Sequence, residues 1–108
     1  MSKEKLPKQY LLIKARHGKF FKAVEELGRV VRQAGPLDDK TAHLIQLAAA
    51  ATVHSEGAVH SHVRRAVGAG ATPEEIYHTL MLLTSTIGFP TVVAALSWAD
   101  DIIKSKKK

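Results

Sequence analysis

Apolar residues recur at helical spacing along nearly the whole chain. Phe20, Val24, Leu27 and Val31 fall at i, i+4, i+7 and i+11, the spacing of one helical face. Phe21 and Val30 widen that face, while Lys22, Glu25, Glu26, Arg29 and Arg32 take the other. The pattern predicts helix from about Tyr10 to Ala34, with a break near His17-Gly18 and a stop at Gly35-Pro36. A second helix is predicted from Asp38 or Asp39, whose carboxylates suit the positive helix end. It runs through Leu44, Ile45, Leu47, the alanines at 48–51 and Val53. So much alanine lets neighbouring backbones approach closely and marks a central, buried helix. The pattern falters at His54-Ser55-Glu56-Gly57, where Ser55 offers an N-cap for a third helix. That helix carries Val59, Val63 and Ala66 and ends at Gly68-Ala69-Gly70.

The fourth start is the clearest. Thr72-Pro73-Glu74-Glu75 supplies an N-cap hydroxyl, a proline at the first helical position and a glutamate placed to close a capping box. Ile76, Leu80, Leu83 and Ile87 then line one face, and a fifth helix follows Gly88-Phe89-Pro90 with Val92, Leu96, Ala99 and Ile103 in register. No alternating strand pattern or Asn-Gly hairpin signal occurs, so the fold class is all-α. At 108 residues one domain is expected, spanning 9–103 between a flexible basic segment at 1–8 and a basic tail at 104–108. Helices apolar nearly all round need cover on every side, and a monomer of this size leaves much surface open. The stretch 76–99 is the part expected to be covered by a second copy of the chain.

The net charge of +6 suggests a nucleic-acid partner until it is located. Residues 9–103 hold nine basic and nine acidic side chains, so the excess lies at the two ends. A basic excess confined to chain ends is a solubilising feature, and no nucleic-acid partner is expected. The stretch 76–99 has no Asp, Glu, Lys or Arg and is long enough for a bilayer span. Its six Ser/Thr residues, His78 and the Gly88-Phe89-Pro90 interruption favour two buried helices meeting at a bend. The start MSKEKLPKQY lacks an apolar run and a small-residue cleavage site, so a cytoplasmic protein without a membrane partner is expected. Cysteine is absent, which removes disulfides, thiolate metal sites and every thiol redox mechanism.

Between His43 and Pro90 composition gives way to pattern. The stretches LIQLAAAA (44–51), HVRRAVGAGATPEEI (62–76) and GFP (88–90) resemble, in order and register, the carboxymuconolactone decarboxylase family, which includes the alkylhydroperoxidase D-type proteins. The resemblance implies an AhpD-like bundle of five to six helices, assembled as a trimer or hexamer. The peroxidase branch of that family uses a Glu, a Cys-x-x-Cys pair and a His. Those positions fall here at His43, Ser55, Ala58 and His62, so His62 alone is retained. A peroxide-reducing cycle needs a thiolate nucleophile and a resolving partner, so composition excludes it. The decarboxylase branch does without the cysteines and reads closer around the HVR and GFP stretches. Its acidic residue in the third helix would fall at Ala58, however, and Glu56 is half a turn away.

Ser55, Ala58 and His62 lie at i, i+3 and i+7 on one helical stripe. Backbone N–H groups at the helix start suit an anion, and His62 can hold or donate a proton near neutral pH. Decarboxylation of an unsaturated lactone acid leaves an enolate-like charge. It calls for a proton donor, a partner for the carboxylate and a dry cavity. His62 is the expected catalytic residue; Ser55, His43, Arg64, Arg65 and Phe89 are the expected substrate contacts. A guanidinium fork matches carboxylate geometry; Arg65 is nearer the His62 face, and Arg64 stands in the family-like register. The ligand expected is a small carboxylate-bearing molecule. A lone inward histidine also serves simply as a hydrogen-bonded core residue, and a non-catalytic binding oligomer is the second reading. His60 and His62 point about 200° apart on a helix. A metal would therefore need His43, His54 and His62 to converge across the helix break; neither metal nor organic cofactor is expected.

Overall fold

The computed structural model describes residues 7–105, so the basic ends at 1–6 and 106–108 lie outside the described residues. Among the described residues there are helices and no strand. Lys8 opens the first helix and Lys104 and Ser105 close the last, so these residues, assigned above to the two ends, are helical. The helices sort into two compact units, the first ending at Asp38 and the second beginning at Asp39.

In the first unit α1 (Lys8–Arg16) and α2 (Gly18–Arg32) are separated by the non-helical backbone of His17 (φ −132°, ψ 60°). Tyr10 and Phe21 pack edge to face with ring centroids 5.0 Å apart, and Lys14 Nζ lies 5.8 Å from the Phe21 ring centre. Phe21 is buried. The stripe that periodicity picks out faces outward instead: Phe20 and Leu27 are each 62% exposed, and Val24 and Val31 are exposed beside them. Spacing defines an apolar face but does not say what covers it.

The second unit comprises α3 (Asp39–Thr52), α4 (Glu56–Gly68), α5 (Pro73–Met81), the single turn α6 (Thr84–Ile87) and α7 (Phe89–Ser105). α3 packs most extensively on α4, α4 on α7, and α5 on both α3 and α7. Leu47, Val59, Val63, Ile76 and Leu80 are wholly buried, interleaved with Ala51, Ala66, Ala95 and Ala99. The alanines allow the backbones to approach; the larger side chains fill the remaining space.

Helix ends follow local chemistry. At the end of α4 the Gly70 N–H bonds the Val67 carbonyl (3.0 Å) and the Ala71 N–H bonds the Ala66 carbonyl (2.9 Å), a Schellman closure with Gly70 at φ 103°. The end of α3 repeats the pattern, His54 N–H to the Ala51 carbonyl and Ser55 N–H to the Ala50 carbonyl, with His54 at φ 58°. Ser55 then caps α4, its Oγ accepting from the Ala58 N–H at 3.3 Å. One residue thereby closes one helix and opens the next. The Thr72–Glu75 capping box is formed in full, and the Glu75 carboxylate also takes Lys40 Nζ at 3.1 Å, joining the start of α5 to the start of α3.

The single helix predicted through Ile87 is divided. The Thr84 hydroxyl donates to the Met81 carbonyl (2.8 Å), competing with the helical ladder within a run of Thr84, Ser85 and Thr86. Ile76 and Leu80 stay buried, whereas Leu83 and Ile87 are only half-buried. No helix of the described residues is long and apolar enough to cross a membrane.

Candidate functional site

His43 lies one turn into α3 and His62 midway along α4. The packing of these two helices brings the rings together: their centroids are 5.7 Å apart, tilted by 38°, with Nδ1 to Nδ1 at 3.5 Å, the outer limit of a hydrogen bond. His43 is 5% exposed, and His62 is half-buried beside it. A contact between two Nδ1 atoms dictates tautomers. One ring donates from Nδ1–H and, when neutral, carries a lone pair on Nε2. The other accepts at Nδ1 and carries its proton on Nε2. In the neutral pair one Nε2 thus carries a proton and the other a lone pair.

Gln46, three residues beyond His43 on α3, has a buried Oε1 with no hydrogen-bond partner among the described residues. It shares the His43 side of the helix by spacing. Sequence reasoning passed it over, because an amide in an alanine-rich helix gives no motif.

The other residues singled out from the sequence are dispersed. Ser55 stands at the start of α4, its hydroxyl engaged in the cap. Arg64 is half-buried and Arg65 exposed. Phe89 begins α7 and is 63% exposed. His54 sits in the α3–α4 turn with Nε2 3.3 Å from the Thr91 hydroxyl. His43, His54 and His62 do not form a three-ligand cluster among the described residues. As their angular separation requires, His62 meets His43 of α3 while His60 reaches Asp101 of α7.

Along α7 the Tyr77 hydroxyl donates to Asp100 Oδ1 at 2.7 Å, and Lys104 Nζ lies 3.6 Å from Oδ2 of the same carboxylate. Its hydrogen bond to Asp100, more than burial, raises the Tyr77 phenol above its ordinary value. The Glu75 carboxyl is held below the usual carboxylate range, first by the Thr72 N–H and then by Lys40. Both groups fasten helices together.

The chain is 31% identical over 85 residues to an uncharacterized protein of Methanocaldococcus jannaschii, covering 79% of each. It is similar in structure to a carboxymuconolactone decarboxylase family protein from Legionella pneumophila, solved in its apo form. The TM-score is 0.76 at 25% identity, over 93% of this chain and 88% of that one. Residues 18–101 match the sequence profile of the carboxymuconolactone decarboxylase family. That span takes in the α3–α4 hairpin with both histidines and the Gly-Phe-Pro start of α7, and the chain belongs to the carboxymuconolactone decarboxylase family.

Proposed function

We propose that the protein is a cofactor-free decarboxylase of a small carboxylated lactone or related oxo acid, with His62 as general acid and base and His43 as its proton partner. The observation that carries this reading is the Nδ1–Nδ1 contact at 3.5 Å, with His43 almost wholly buried. In the reaction the bond from carbon to carboxylate breaks, carbon dioxide leaves, and the electron pair enters the conjugated carbonyl as an enolate. The protonated pair delivers H⁺ to carbon from His62 Nε2, so substrate and pair begin with opposite charges and leave this step neutral; the pair then takes up a proton from solvent for the next turnover. Arg65, three residues beyond His62 and nearer its face, and Arg64, two residues beyond it in the family-like register, are the cations proposed to hold the carboxylate. The unmet acceptor on Gln46 supports a bound polar molecule on this side of α3.

The assembly proposed is a cytoplasmic homo-oligomer, trimeric or hexameric as in the family resemblance. Met81, Leu82, Phe89 and Val93 are exposed within a stretch that has no Asp, Glu, Lys or Arg, which supports a covering copy of the chain. A non-catalytic binding oligomer is the second reading. The engagement of Ser55, at a cysteine position of the peroxidase branch, in a purely structural cap favours it.

The test is carbon dioxide release from a panel of carboxylated lactones and oxo acids. Turnover should fall roughly 10²- to 10⁴-fold in His62→Ala. It should fall as far in His62→Gln, which keeps a hydrogen-bond donor that cannot titrate. Unchanged turnover in both variants refutes the catalytic reading; no turnover by the unmodified protein on any member of the panel transfers the case to the binding oligomer.

A further inference from the structure

On the opposite side of α4 from the histidine pair, Glu56, His60 and Asp101 bring one ligand atom each to within 4.8 Å of one another. We propose that these three side chains form a binding site for a first-row divalent cation of the zinc type, open to solvent at a fourth position.

The site is built from two helices. Glu56 and His60 stand at i and i+4 on α4, the spacing that presents two ligands from successive turns. Asp101 comes from α7, between the buried Ala99 and Ile103. α4 and α7 share one hydrophobic core through Val59, Val63, Ala95 and Ala99, so the three ligand stems rest on rigid backbone.

Distances fit the chemistry. Donors at 2.0–2.2 Å from a tetrahedral ion lie about 3.4 Å from one another. His60 Nε2 is 3.0 Å from Asp101 Oδ2 and 4.0 Å from Glu56 Oε2, values that bracket this spacing. Small rotations of the two exposed carboxylates bring all three donors onto one centre. The imidazole directs the same nitrogen at both carboxylates, as a shared ligand centre requires. The donor set favours the same class. One imidazole nitrogen and two carboxylate oxygens neutralise a divalent charge. An all-oxygen preference such as that of magnesium or calcium leaves the histidine unused. On binding, the ion takes the place of the proton that His60 Nε2 shares with Asp101, and the neutral imidazole then carries its proton on Nδ1.

The experiment is calorimetric titration of Zn²⁺ into tag-free, chelator-stripped protein, with Co²⁺ as an optical probe of coordination. One Zn²⁺ per chain is expected, and Co²⁺ should give the intense visible band of a low-coordinate nitrogen–oxygen site. Affinity should fall roughly tenfold or more in His60→Ala and in the near-isosteric Glu56→Gln and Asp101→Asn. His62→Ala should bind as the unmodified protein does. Circular dichroism identifies any variant that fails to fold, and the two amide variants carry the test if His60→Ala does. Absence of binding to folded protein refutes the proposal. So does binding that survives all three substitutions, or binding that His62→Ala abolishes.

Discussion

Gly88 precedes Phe89 and Pro90, and its backbone at φ 94°, ψ 152° lies in a region essentially confined to glycine. Space is not the obstacle to a side chain there. The nearest heavy atom to an added Cβ is Pro90 Cδ, at 3.9 Å, an ordinary contact. Gly88→Ala therefore isolates backbone strain. Holding a non-glycine residue in such a region costs about 1–3 kcal/mol. The substitution also restricts the unfolded chain, which offsets roughly 0.4–1 kcal/mol. The net expectation is a loss of about 1–2 kcal/mol, or some 4–8 °C in Tm for a chain of this size. Gly57→Ala is the matched control. It adds the same methyl group at a helical position in the first turn of α4, where nothing lies within 4 Å, and should stabilise by about 0.5 kcal/mol. Identical chemistry should thus act with opposite sign, decided by φ alone. Urea unfolding followed by circular dichroism, at matched protein concentration, measures both. A Gly88→Ala variant as stable as the unmodified protein would refute the reasoning and show that the entry to α7 relaxes freely.

Three further outcomes are expected. Because the Glu75 carboxyl sits below its ordinary value of 4.5 in the folded protein, its contribution is fully present above that pH and fades as pH falls through the lower folded value. Glu75→Gln should therefore lose stability near neutrality and flatten the acid side of the stability profile; an unchanged acid limb in chemical denaturation would count against the capping box and the Lys40 pair. Val93→Lys should shift the assembly to smaller species in light scattering, since an unpaired charge buried in an interface costs several kcal/mol, and an unmodified protein already monomeric at dilute concentration contradicts the proposed oligomer. Metal-free protein should consume organic hydroperoxide no faster than buffer with any dithiol donor, because the chain has no cysteine; sustained dithiol-dependent turnover overturns that exclusion.

Helix ends were written in the sequence because their chemistry is local. Thr72, Pro73 and Glu75 form their capping box within a few residues, Ser55 caps through the Ala58 N–H, and Gly70 and Ala71 close α4 on carbonyls respectively three and five residues back. Periodicity likewise separated the directions of His60 and His62, because the helical turn alone sets that angle. What each ring meets was decided by tertiary structure. His43 lies 19 residues from His62, and Asp101 lies 41 from His60, separations that no helical period spans. The stripe of Phe20, Val24, Leu27 and Val31 shows the same division: its spacing was legible, its exposure was not. The break before Thr84 came from a hydroxyl competing for a carbonyl within one turn, which an apolar pattern does not register. Short-range hydrogen bonding and period determine which residues are helical. Which side chains come within bonding distance depends on how the helices pack, through cores whose partners are far apart in the chain.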